Sequence, residues 1–431
     1  MKTAGLNYDE LKNIARQLPD NGLTPVRETA LTHFAEHGLP TLRDEDWKYT
    51  DLAPVVEISN RWLGAGGRQG IDDSCRETID VVTRSIDAAW LVISNGSIDT
   101  RSLENFPDNG VEVSRISEAP SRFALTRPLA DLNAALLRDG LRIRITRSSN
   151  KPIGILLIDS SDREVGVTQS FVEIDVEQGC SAEFIEYHVS EGDSDHYANS
   201  VLNMNIGDEA TISHTRIQNR GLKHVQTSRT SISPGRDATL RMAGYDLGGG
   251  LIRNDIDIDL GQPGVDVSFD GLYLAGNGQH IDNHTRVDHR VGPSVSSQEY
   301  RGILNGKCRC VWNGKAIVHK GADGTDAQQA NHNLLMSDKA EIDAKPELEI
   351  YAEDVKCSHG TTVGQLDETA LFYLRSRGLD KQQAIKILTH AFAAAIVRRA
   401  PVSAAIDAIS SIVDARLATL IATDAVTEVL T

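Results

Sequence analysis

Two side chains suited to metal or nucleophilic chemistry stand two positions apart in the run Val355-Lys-Cys357-Ser-His359-Gly-Thr-Thr-Val-Gly364. If that run is extended, the Cys357 thiol and the His359 imidazole share one face, because successive residues of a strand alternate sides. Such a pair can bind iron or zinc, or act as nucleophile and base. The plainer alternative is a polar strand end with an incidental thiol. Two ligands leave a metal's coordination sphere unfilled, so a metal held here requires ligands from another chain.

Other candidates are weaker. Cys308 and Cys310 also share a face, but a lone Cys-x-Cys reads more simply as two small buried residues. His280, His284 and His289 lack a metal-like spacing and read as ordinary polar positions. Asp255, Asp257 and Asp259 alternate along one strand and read as a solvated outer face. Gly248-Gly249-Gly250 and Gly276-Asn-Gly278 lie inside strand repeats, while Gly306-Lys307 and Gly314-Lys315 are followed by Cys and Ala. A phosphate-binding loop needs Ser or Thr after its lysine and a helix beyond. No nucleotide is expected on this chain, and any ATP chemistry belongs to a partner.

The elements that must position these residues are set by a repeat. Between Phe171 and Cys310 the chain repeats every 28 residues, five times, each unit reading as strand, tight turn, strand and loop. Gly179, Gly207 and Gly235 fall in one column and Ala182, Ala210 and Ala238 in another, with the turn glycine slipping by one residue to Gly264 and Gly292. Ile174, Leu202 and Ile258 align in the first strand, and Phe184, Ile212, Leu240 and Phe269 in the second. A unit this short cannot bury its apolar face alone, whereas stacked units can. Glycine at the bend supplies positive φ, and β-branched residues favour the strands beside it. The expectation is a mainly β chain built on a β-helix or rolled β-solenoid, with a β-sandwich as the alternative that regular strand spacing also allows. The repeat decays after Cys310, its last echoes being Ser337-Asp-Lys-Ala-Glu-Ile342 and Glu347 to Ala352.

Helical patterns flank the repeat. Leu11, Ile14, Ala15 and Leu18 form one stripe, a second helix covers Val26 to Glu36 and stops at Gly38, and Arg43-Asp-Glu-Asp-Trp-Lys-Tyr-Thr50 reads as a docking segment or loop. Gly64 to Gly70 reads as a flexible linker. Trp90 to Ser94 and Ile153 to Ile158 look like buried strands, with helical patterning at Pro128 to Arg138 between them. After Gly364 the period lengthens to about 3.6 residues. Asp367 and Asp380 are placed to cap two helices, the second with the stripe Ile385, Leu388, Phe392 and Ile396. A third carries Ile406, Ile409, Val413, Leu417 and Leu420. The expected organisation is a helical region over 1–63, a linker and mixed α/β lead-in over 64–150, a β-helix core over 151–364 and a helical domain over 365–431.

Composition narrows the function classes. The 431 residues suffice for two or three domains with a substantial core. A net charge of -17 supplies no basic footprint for a nucleic acid. No stretch reaches signal-peptide or membrane-spanning character, so a cytoplasmic location is expected. Five cysteines in so long a chain do not make a disulfide framework, and free thiols are expected.

Together with the repeat, three segments carry a resemblance. They are Glu45-Asp-Trp47-Lys48-Tyr49-Thr50, Lys320 to Leu335 with its Gln328-Gln329-Ala330-Asn331, and Asp354-Val-Lys-Cys357-Ser-His359-Gly360. The chain resembles the SufB/SufD family of iron-sulfur cluster assembly subunits over essentially its whole length. That resemblance implies a right-handed parallel β-helix between an N-terminal helical region and a C-terminal helical domain. It also implies a non-catalytic scaffold working with one SufB-like paralogue and two copies of SufC, an ABC-type ATPase. In the family the helical domain docks on the ATPase, and the ends of two β-helices pair as a heterodimer. Carried onto this sequence, His359 is the candidate ligand for iron or a nascent cluster shared with the partner chain, and Cys357 is the secondary candidate. ATPase contacts are expected between Leu366 and Arg399. Unpaired strands at a solenoid end are templates for edge pairing, and an isolated chain could form a homodimer through the same edge.

Two other function classes compete. A β-helix carbohydrate lyase or hydrolase would need a groove with converging carboxylates or a basic residue, and usually an export signal. A stand-alone metallochaperone would bind metal tightly as a single chain, whereas the scaffold would bind little alone.

Overall fold

The computed structural model describes residues 5–67, 75–107, 109–117, 128–160 and 165–429. From Val165 to Gly364 consecutive strands alternate between two sheets, each pairing in parallel with the strand two places on. The result is a mainly β, two-sided β-solenoid of about 7 turns. Among the described residues one sheet has ten strands and the other nine, and both include short lead-in strands from before residue 160.

The repeat is real, but its step varies. Ser181, Thr211, Thr239, Asp266, Val295, Asp326 and Lys356 stack in register, giving steps of 30, 28, 27, 29, 31 and 30 residues. A constant step of 28 therefore misplaces several columns by two residues. Ile174 stacks on Met204 rather than Leu202, Phe184 on His214 rather than Ile212, and Leu240 on Val267 rather than Phe269. Gly179, at φ 68°, is followed in its column by Glu209 and Asp237, which take φ 60° and 55°, not by Gly207 and Gly235. Alternation hides the slip because a shift of two returns every side chain to the same face. The seven apolar residues of the two expected columns, Ile174, Leu202 and Ile258 with Phe184, Ile212, Leu240 and Phe269, accordingly lie in one interior cluster.

The array also extends beyond Cys310. Strands Asp326–Leu335, Glu341–Ile350 and Lys356–Gly364 continue both sheets without a break. The inward column Phe184, His214, Met242, Phe269, Gln298, Gln329, His359 shows why the signal fades. Backbone pairing persists while its inward side chains turn polar.

The interior has an ionic side as well. Arg216 crosses from the ten-stranded sheet to Asn254 on the nine-stranded sheet and pairs with Asp246 at 3.0 Å. Glu186 lies 2.6 Å from His188 Nε2 and 3.2 Å from His214 Nε2, with all three side chains buried. Buried charges persist only when paired, and these are.

The flanking helices cover the two faces of the solenoid. Helices Tyr8–Gln17, Thr24–His37 and Ala53–Gly64 pack Leu11, Phe34, Val55 and Trp62 against Val167, Tyr197, Val225 and Leu251 of the nine-stranded sheet. Gly64, expected in a linker, ends the third of these helices, and residues 68–74 lie outside the described residues. Helices Lys381–Val397 and Ile406–Val429 lay Ala393, Ile396, Ile409, Val413 and Leu417 on Ile185, Ile217, Ala243, Leu272 and Ile303 of the ten-stranded sheet. Ile385, Leu388 and Phe392 are only half-buried, because the buried stripe runs through Ala384, Thr389, Ala393, Ile396 and Val397. Asp367 caps helix Glu368–Ser376, and Asp380 makes a full capping box with Gln383. Arg399 clamps the connection to the sheet by bonding Asp270 and Glu299.

Candidate metal centre at the open end of the solenoid

Cys357 and His359 lie on Lys356–Gly364, the last strand of the ten-stranded sheet. Their register partners are Ala327 and Gln329, both buried and inward-facing. Parallel partners point the same way, so the thiol and the imidazole extend two interior columns to the open end. Cys357 is half-buried and His359 is exposed. Burial pushes the Cys357 thiol up from its ordinary range, with Asp326 adding to the rise against a bond to the Ala327 backbone. A nearby cation would be needed to favour its thiolate. Among the described residues no group of three or more His, Cys, Asp or Glu side chains is arranged to hold a metal ion.

The strand presents a free edge. Lys356 N donates inward to Thr325 O at 2.8 Å. Because ladder bonds alternate along a strand, the N–H groups of Cys357, His359, Thr361 and Val363 point to the open edge. Ile350, Tyr351 and Val363, at the ends of the last two strands, are exposed apolar side chains beside it. A second exposed set lies on the helices: Phe372 is 74% exposed, Tyr373 56% and Ile387 45%.

The remaining sequence candidates have structural places. Cys308 and Cys310 are buried, and burial pushes the Cys308 thiol up to about 11 and the Cys310 thiol well above its ordinary range. His280, His284 and His289 share one strand and bond to Thr50, Asp282 and the pair Ser294 and Ser296 respectively. Asp255, Asp257 and Asp259 do point outward, but each is paired, with Arg253, Arg229 and Arg290. That face is an ion-pair lattice rather than merely solvated. The segment Glu45–Thr50 docks onto it, with Trp47 stacked on Arg253 at 4.3 Å and Glu45 reaching Lys345 at 2.9 Å.

One residue was missed. Gln329 is 4% exposed, and neither its amide nitrogen nor its oxygen has a hydrogen-bond partner. Its neighbours on the same face are Asn331 and Asn333, which form a network with Tyr273. The signal lay in one column, where Gln298 and Gln329 follow Met242 and Phe269 at an inward position.

The family model described as SUF system FeS cluster assembly, SufBD core domain, matches residues 157–392. This chain belongs to the SufBD family. Its SufBD N-terminal region matches over residues 6–124. The iron-sulfur cluster assembly protein SufD of Escherichia coli is 29% identical over 86% of this chain and 88% of its own length. A SufBD family protein of Synechocystis is 28% identical over 89% of both chains. SufD of Bacillus subtilis is 27% identical over 51% of this chain and 50% of its own. The SufBD core match spans the solenoid with Cys357 and His359 and reaches into helix Lys381–Val397. Membership makes this an iron-sulfur cluster assembly protein and disfavours the carbohydrate-enzyme reading. Among the described residues no helix is long and apolar enough to cross a membrane.

Proposed function

We propose that this chain is a non-catalytic scaffold subunit whose open solenoid end supports iron entry and cluster formation against a SufB-like paralogue. The observation that carries this reading is the pairing of two potential ligands, Cys357 and His359, with an unpaired strand edge. A partner strand added there would bring its own side chains beside theirs and complete the coordination sphere. Iron or a nascent cluster is cargo in this scheme. His359 is the principal ligand, and Cys357 contributes once a cation offsets the cost of its thiolate.

Residues 365–431 act as the docking domain for a SufC-type ATPase, with 151–364 as the rigid core. Phe372, Tyr373 and Ile387 support this, since large apolar side chains left in water fit a partner surface. ATP-driven movement of the ATPase would reach the sheet through helix Lys381–Val397 and the Arg399 clamp. The test is His359→Ala in the assembled complex, with cluster formation followed anaerobically. Loss of cluster with the complex intact is expected; an unchanged yield would remove His359 as ligand.

A further inference from the structure

We infer that Gln329 is a positioning residue for His359, receiving one imidazole N–H and thereby fixing which ring nitrogen faces the partner. The inference rests on the proposed role of His359 as ligand, and it adds a residue to that site.

Gln329 and His359 are register partners on the last two strands of the ten-stranded sheet and face the same side. Neighbouring strands lie about 4.8 Å apart, so side chains stacked in one column are within each other's reach. Below Gln329 in the column stands Gln298, whose Oε1 already accepts from Thr285 at 2.8 Å. Beside it, Asn331 and Asn333 are bonded to Tyr273 and to each other. Gln329 is thus a buried primary amide with both polar atoms unpartnered, and the next side chain above it is an exposed imidazole. An unpaired buried amide is unfavourable. The ring is free to turn about its two side-chain torsions, whereas Gln329 is held by burial.

An imidazole donating one N–H to Gln329 Oε1 presents the lone pair of its other nitrogen. Metal-binding histidines are commonly held this way by an oxygen acceptor, which fixes the tautomer and the ring orientation. A leucine in the same place would fill the space and leave both tautomers available. Gln329 thus supplies a buried acceptor directly beneath His359 in its column.

The test uses the full chain labelled with 15N-histidine at alkaline pH, the His359 signals being identified by their loss in His359→Ala. In the wild type one His359 tautomer should dominate. In Gln329→Leu it should relax to the mixed population of a solvent-exposed histidine, and Gln329→Glu, which keeps an acceptor oxygen, should restore it. A His359 spectrum unchanged in Gln329→Leu overturns the inference. Iron(II) titration of the complex assembled with its paralogue gives the second reading: about 10–100-fold weaker binding for Gln329→Leu, with recovery in Gln329→Glu. The two claims separate cleanly, because equal iron binding by wild type and His359→Ala removes the ligand role while the iron-free spectra still decide the contact with Gln329.

Discussion

Arg253 and Asp282 are register partners on neighbouring parallel strands, and they form an ion pair in which each side chain is 1% exposed. Trp47 lies over the Arg253 guanidinium, the Asp46 carbonyl accepts from its Nη1 at 2.9 Å, and Thr50 donates to Asp282. Burial pushes the Asp282 carboxyl up, but Arg253, His284 and Thr50 together hold it well below the usual carboxylate range. This pair joins the N-terminal region to the solenoid.

Removing one partner of such a pair leaves a buried charge without compensation. Asp282→Ala should destabilise the chain by about 3–5 kcal/mol, measured by urea unfolding. Trp47→Ala should cost less, about 1–2 kcal/mol for the lost cation–π contact. Equal small effects from both would mean that the docking segment carries little of the stability.

Asp131 should make stability fall as pH rises. It sits in helix Pro128–Leu136, 1% exposed, and burial pushes its carboxyl up to about 7 against the opposing pull of His33 and His37. A carboxyl with a folded pKa above its unfolded value holds its proton more tightly when folded. Its contribution is full below about pH 4 and is lost as pH rises through 7. Asp131→Asn keeps the neutral form, so the variant should match the wild type at pH 4 and exceed it at pH 8, by on the order of a few kcal/mol. Parallel unfolding curves at every pH would contradict the assignment.

The exposed helical surface should matter for assembly and not for folding. Phe372→Asp combined with Ile387→Asp removes apolar area already in water, so thermal stability should stay within about 1 kcal/mol of wild type. Co-purification with a SufC-type ATPase should be lost. Retained complex would place the contact elsewhere.

The open edge allows a backbone test. The Thr361 N–H points away from the neighbouring strand, so proline there removes no internal ladder bond yet blocks a partner strand. Thr361→Pro should abolish pairing with a SufB-like chain in analytical ultracentrifugation while leaving the folded monomer intact. Proline at Thr362, whose N–H points inward, should instead disturb the terminal coil.

Much of this architecture was legible in residue order because it rests on local periodicities. Alternation in units too short to bury their own faces requires stacking, which is why the solenoid follows from Phe171 to Cys310 alone. Asp367 and Asp380 announce the helix starts they cap, and Ile409, Val413, Leu417 and Leu420 mark a face that is buried as spaced. Alternation along the extended run places the Cys357 and His359 side chains on one face from residue order alone. Register was not legible. Ile174 could meet Leu202 or Met204 with the same pattern, since a slip of two preserves every face, and only the stacked loops choose. Nor was it legible that Gln329 stands beneath His359. Those residues are 30 positions apart and become neighbours only through one full turn of the solenoid, where the cost of an unpaired buried amide gives an otherwise ordinary glutamine its significance.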